Sequence, residues 1–296
     1  MGWELGIGPW AFIRVSSYRF CRTDDVALLV DALNRCRSPY FPDEPAVTPA
    51  SFKWSIRHLQ VWCSSCMVAF SGSDPIGVLI GAKRPSGTLI HTIAVHPDHV
   101  RQGHGRHLLT SLGSKLAILG PPRMIAEVPE PLAAAVALFD ACGYVRESIL
   151  TDYVGGAGGA KPPGLNEAGF VIPVTVDDLA ANGLLAETDP NVCWERSVET
   201  LTARKDNILG LAVASDERIE AYLLYIEGGA GGAEILSMRS FIDDGGARLA
   251  QLLSRLGMTF RFPKVHPEEI PPPCLETLGF RPAGGHRLYA GMARSG

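Results

Sequence analysis

The chain has 296 residues, 46% of them hydrophobic and 20% charged, with a formal net charge of −4 at pH 7. That length exceeds one typical domain, and the apolar share suffices for two cores. With no lysine or arginine block to track a phosphate backbone, no apolar run near the roughly 18–20 residues of a membrane span and no basic-then-apolar leader, the expectation is a soluble cytoplasmic protein that contacts neither nucleic acid nor membrane.

Tyr18-Arg19-Phe20-Cys21 predicts a strand running into a helix capped at Thr23, with Val26, Leu28, Leu29 and Leu33 as its apolar face. Thr48-Pro49 announces a second helix, proline at its first position, that carries Phe52, Trp54, Ile56 and Leu59. The loop between them is stiffened by Pro39, Pro42 and Pro45; its Tyr40 and Phe41, with Trp54, suit an apolar body, and Asp43 or Glu44 an ammonium, unless it is simply an interhelical connection. Residues 67–70 and 76–80 flank Ser71-Gly72-Ser73-Asp74-Pro75, a hairpin signal. Residues 88–95 are β-branched and apolar enough for a buried fourth strand, and Leu108, Leu109, Leu112, Leu116 and Leu119 then recur at helical spacing. Residues 124–128 form a fifth strand, and residues 133–141 a helix that stops at Gly143.

The stretch from His96 to His107 joins the fourth strand to its helix. Gly103 and Gly105 allow close backbone approach and inward-turned amides, and the helix start adds partial positive charge, a combination suited to a phosphate or pyrophosphate. Arg101, His104, Arg106 and His107 add side-chain cations. A P-loop would end Gly-Lys-Ser/Thr, and a dinucleotide fingerprint would carry three spaced glycines and a later acidic residue; neither is present. The segment resembles the acyl-CoA loop of the GNAT acetyltransferase superfamily, in which a strand ending Val-x-Pro precedes Arg/Gln-x-x-Gly-x-Gly/Ala. Val100 stands at the first position of that pattern, a departure, while both glycines match. Residues 135–144 resemble the second signature of that family, Ala-x-x-Leu-Tyr-x-x-x-Gly-Phe, with Phe139 replacing the tyrosine. The order β-α-α-β-β-β-α-β-α-β along residues 17–154 is similar to that family throughout.

The pattern recurs after a glycine- and proline-rich linker at 155–169. Residues 170–179 repeat the strand-then-helix opening, 211–214 and 219–224 the hairpin, 234–239 the fourth strand, and Leu275-Glu276-Thr277-Leu278-Gly279-Phe280 the second signature. Tyr153 and Tyr289 follow Gly143 and Gly279 at the same separation. The expected fold is α/β (α+β): two tandem GNAT-like domains, 1–154 and 170–296, each a mixed, mostly antiparallel sheet flanked by helices. The second copy is degenerate, since Asp243-Asp244-Gly245-Gly246 lacks the spaced glycines and sets carboxylates where phosphates would sit.

The resemblance implies an acetyl-CoA-dependent N-acyltransferase that moves an acetyl group directly to an amine of a small molecule or peptide, with a homodimer allowed. It implies that the fourth strand holds the pantetheine arm at Ile93, Ala94 and Val95, and that Arg101, Gln102, Gly103, His104, Gly105 and Arg106 hold the phosphates. His91 is either the general base or a wall of the substrate pocket; strand alternation puts it on one face with Ile93 and Val95. Glu127 is the alternative base. Phe139 cannot donate a proton, so Tyr144 or Tyr153 substitutes as the acid, or a thiol of pKa about 8.5 leaves unaided. The absent phenol equally supports a non-catalytic CoA-binding or interaction module. Cys63-Ser64-Ser65-Cys66 has the spacing of half a zinc site but no completing pair, so the seven cysteines read as free thiols and no metal is expected.

Overall fold

The computed structural model describes residues 16–156, 170–185, 192–228 and 231–294. From residue 157 onward the expected linker lies outside the described residues. The first half consists of β1 (Ser16–Phe20), α1 (Val26–Cys36), α2 (Pro49–His58), β2 (Met67–Ser71), β3 (Asp74–Arg84), β4 (Gly87–Val95), α3 (His104–Leu119), β5 (Arg123–Pro129), α4 (Ala133–Ala141) and β6 (Val145–Gly155). The second half repeats it with β7 (Phe170–Pro173), α5 (Val176–Ala181), α6 (Val198–Ala203), β8 (Leu209–Ala214), β9 (Ile219–Glu227), β10 (Gly232–Ser240), α7 (Ala247–Leu256), β11 (Thr259–Val265), α8 (Pro272–Thr277) and β12 (Arg281–Met292).

Local chemistry accounts for most boundaries. Thr48 accepts a hydrogen bond from Ser51 N at 3.1 Å and the Ser51 hydroxyl returns one from Thr48 N at 2.9 Å, a reciprocal capping box ahead of Pro49. Thr175 and Asp178 make the same exchange at the start of α5. The cap expected at Thr23 is not used: α1 starts after Asp25, whose carboxylate accepts from Arg22 N at 2.7 Å and pairs with Arg19 at 2.8 Å. That carboxylate is turned back onto the preceding turn, and no side chain caps the first amides of α1.

All strands join one 12-stranded sheet in the order β1-β2-β3-β4-β5-β12-β6-β11-β10-β9-β8-β7. Only β4–β5 and β10–β11 are parallel; the other pairs are antiparallel. The halves exchange their last strands. β12 pairs with β5 from His286↔Pro129 to Met292↔Arg123, while β6 pairs with β11. Residues 145–154, the last strand of the first half in sequence order, therefore sit on the far side of β12. Each exchanged strand delivers a buried tyrosine. Tyr289 enters the core under α3 and α4 with Leu108, Leu112 and Phe139; Tyr153 enters the core under α7 and α8 with Leu252, Leu275 and Phe280.

The opposite faces of the sheet carry the cores under α1–α2 and α5–α6. Trp194 of the second half is buried in the first of these beside Leu59, to whose carbonyl its indole donates at 2.9 Å. Full burial of so large a side chain is worth about 1.5–3 kcal/mol or more, so the halves are joined by packing as well as by the sheet.

Candidate active site

The glycine loop ends in two features that set the start of α3. Gly103 has φ +89°, a left-handed conformation disfavoured for any residue with a Cβ, and the first bond within the helix is His107 N to Gly103 O at 3.0 Å. The amides of His104, Gly105 and Arg106 precede that bond, and no side chain caps the helix, so they are available to an anion. Gly105 has a second reason to be glycine: a Cβ there would lie 3.0 Å from Leu138 Cδ2, so its absence lets α4 approach α3. Arg101, Gln102, Arg106 and His107 are exposed around these amides.

His104 departs from the sequence expectation. Its ring is buried, its Nδ1 lies 2.6 Å from the Tyr18 hydroxyl, and burial lowers its pKa, so it is a neutral packing residue and not a phosphate-facing cation. Tyr18, which also lies against the His107 ring at 3.7 Å between centroids, ties β1 to the loop.

Beyond the loop, β4 and β5 part. They pair only at Thr88↔Met124 and Leu89↔Ile125, so Ile93, Ala94 and Val95 have no strand partner on that edge. The Val95 carbonyl accepts from the Tyr40 hydroxyl at 2.8 Å, which brings the α1–α2 connection to the mouth of the cleft. On the β3 side, Ile80 faces Thr92 while Gly81 faces Ile90, leaving His91 as the extra residue of a β-bulge. The bulge overturns the expected alternation. Ile90 and Ile93, three residues apart, pack in one core, and Leu89 and Ala94 in the other, so regular alternation does not run through His91. His91 is half-buried and close enough to Glu195 of the second half to favour its carboxylate.

The other proposed acid–base residues are not gathered at His91. Glu127 is committed to the interface: its side chain is 4% exposed, Oε1 accepts from Trp194 N at 2.9 Å and Oε2 pairs with Lys264 at 3.0 Å. Tyr144 donates to Met124 Sδ at 3.6 Å, and burial raises its phenol well above the ordinary value. Tyr153 lies in the second half's core, edge-on to Phe280, because β6 is exchanged. The position it would hold in the first half belongs to Tyr289, which stacks on Phe139 at 5.6 Å and donates to Asp140 at 2.8 Å. Trp54, expected to grip a substrate, lies under the Arg204 guanidinium at 4.9 Å, and Glu44 is paired with Arg37.

Sequence reasoning missed a polar cluster between the halves. Lys264 has φ +52°, its amide donates to Asp152 at 2.8 Å, and its ammonium lies 3.0 Å from Glu127 and 3.1 Å from Glu195. Burial works against that ammonium, but the two carboxylates outweigh it and raise its pKa above the ordinary lysine value. Nothing local in the segment around Lys264 signals this role, because its partners lie on β5 and just before α6. The free thiols, by contrast, agree with the sequence reading: burial pushes Cys21 and Cys36 up to about 12, which makes them poor nucleophiles.

The second half keeps the frame of the cleft and loses its chemistry. β10 pairs with β11 only at residues 232–234, Leu236 is the bulge residue where the first half has His91, and Gly246 has φ +88° before α7. Asp244, however, accepts from Gly246 N at 3.0 Å and Arg248 N at 2.8 Å, so a carboxylate of the chain itself occupies the anion position.

Residues 27–144 match the Acetyltransferase (GNAT) family. Over 64 residues the chain is 39% identical to a [ribosomal protein bS18]-alanine N-acetyltransferase of Escherichia coli, a match spanning 22% of this chain and 43% of that relative. In three dimensions it is similar over 95% of its length to 99% of a tandem GNAT protein from the clavulanic acid biosynthesis pathway, with TM-score 0.64 and 16% identity. A GCN5-related N-acetyltransferase from Sphaerobacter thermophilus gives TM-score 0.66 at 14% identity, covering 95% of this chain and 96% of that one.

Proposed function

Starting from the GNAT acetyltransferase domain that this chain carries over residues 27–144, we propose that the first half is an acetyl-CoA-dependent N-acyltransferase that acetylates the amine of a small molecule or peptide. The observation that carries this reading is the coincidence of the β4–β5 opening with the uncapped amides at the start of α3. Residues fit the cofactor there: the amides of His104, Gly105 and Arg106 with the Arg101 and Arg106 side chains would hold the phosphates, Gln102 and the left-handed Gly103 shape the turn, and the strand edge at Ile93, Ala94 and Val95, unpaired by β5 and with Tyr40 on the Val95 carbonyl, would hold the arm. Bound acetyl-CoA supplies the activated acetyl group.

The chain's own work is then positional and protolytic. Backbone amides at the cleft polarise a carbonyl, and His91 accepts the proton that the attacking amine loses, since a neutral imidazole is competent near pH 7. Glu127 is withdrawn from acid–base work by its bonds to Lys264 and Trp194. The leaving thiolate has no phenol beside it at Phe139, and a thiol of pKa about 8.5 departs without one where water reaches it. A panel of amines assayed for released CoA tests the reading. Turnover is expected on at least one amine, with His91→Ala losing about 10²- to 10⁴-fold in kcat at unchanged CoA affinity. Stabilisation by CoA without turnover on any amine favours a binding module instead, a second reading supported by the packed Phe139; no binding of CoA removes both.

A further inference from the structure

The second half's cleft is open although its anion position is closed. A cavity of about 970 Å³ lies where β10 and β11 part, between β10, α7 and α8, and runs toward β5 of the first half. Its volume is at the upper end of small-ligand sites, and Met238, Leu249, Ile270 and Leu278 give it apolar walls beside Trp194 and Tyr222. A polyphosphate is excluded, because Asp244 already accepts from the α7 amides and a phosphate brought there would meet a carboxylate.

Most charges on the lining are matched. Arg196 makes a bidentate pair with Glu269 at 2.7 and 2.6 Å, Arg123 pairs with Glu147, Arg84 donates to Ser197 and Thr200 over the Trp194 ring, and Glu127 holds Lys264. Among the described residues, the lining carboxylates of Asp243, Asp244 and Glu268 are without an ion pair; Asp244 is held by backbone amides, Asp243 and Glu268 are exposed, and the one cation left, Arg239, lies over the Phe241 ring. Apolar walls with an excess of carboxylate select an amphipathic cation, whose apolar body loses water inside while its charge is met by Asp243 and Glu268.

We propose that this cavity is a second ligand site, distinct from the acyl-carrier cleft, for a small organic ammonium on an apolar body. The site stands whether or not the first half turns over. Isothermal titration of the full chain with octylammonium, with octanoate and with CoA tests it. Saturable octylammonium binding is expected, at least tenfold tighter than octanoate and not displaced by CoA. The exposed double variant Asp243→Asn with Glu268→Gln should lose at least tenfold in octylammonium affinity while keeping the wild-type melting temperature and CoA affinity. Absence of octylammonium binding, octanoate bound as tightly, displacement by CoA, or full affinity in the double variant would each overturn the proposal.

Discussion

Replacing Gly105 by aspartate should abolish CoA binding while the fold survives. The new Cβ lies 3.0 Å from Leu138 Cδ2 and 3.4 Å from Cδ1, both at the flexible end of a side chain, so the clash is relieved by a shift of Leu138 at a cost of about 1–3 kcal/mol. In a chain of this size such a loss lowers Tm by several degrees without unfolding the protein. The effect on binding is larger. An aspartate in the first turn of α3 is drawn to the free amides of residues 104–106, as Asp244 is to those of α7. Losing about two charge-assisted hydrogen bonds to phosphate, at about 1.5–3 kcal/mol each, weakens CoA by roughly 10²- to 10⁴-fold before repulsion is added. Titration calorimetry with CoA measures this directly. Gly245→Asp is the control: its left-handed backbone, φ +62°, costs some stability, but its Cβ meets nothing within 4 Å and CoA affinity should not change. A Kd for Gly105→Asp within threefold of wild type, with cooperative melting retained, would refute the assignment of the α3 amides to a phosphate.

Lys264→Met should cost about 3–5 kcal/mol in urea unfolding, because it strands the Glu127 carboxylate, whose side chain is 4% exposed, without its cation. Adding Glu127→Gln should recover at least about 1 kcal/mol of that loss, and a single-variant loss below about 1 kcal/mol would show that the cluster does not join the halves. Acidification should expose His104. Burial lowers its folded-state pKa below the ordinary value of about 6.5, so its neutral form contributes stability that is complete above about pH 6.5 and lost as pH falls through the depressed folded value. Melting temperatures taken between pH 7.5 and 5 should therefore fall more steeply in wild type than in His104→Phe, and parallel slopes would contradict the buried neutral ring.

The alternation of strands and helices was legible because it rests on short-range chemistry. Apolar spacing in α3, the Thr48 and Thr175 caps, and the turn at Gly72 involve residues within a few positions of one another. The glycine loop was legible for the same reason, since a left-handed glycine before an uncapped helix is a local device, and so was the carboxylate that spoils its second copy. Register and partnership belong to the whole sheet. Nothing local within β6 or β12 distinguishes pairing inside a half from exchange between halves, since each strand brings one tyrosine at the same distance after its glycine and each tyrosine ends buried in a core. Only the assembled ladder decides that a bulge falls at His91 and breaks the alternation of a regular strand there. Glu127 reads as a candidate base until Lys264 arrives from β11, and His104 as a cation until Tyr18 closes over it. In both cases what the residue can reach is set by groups distant in sequence, through burial and pairing that exist only once the sheet has closed.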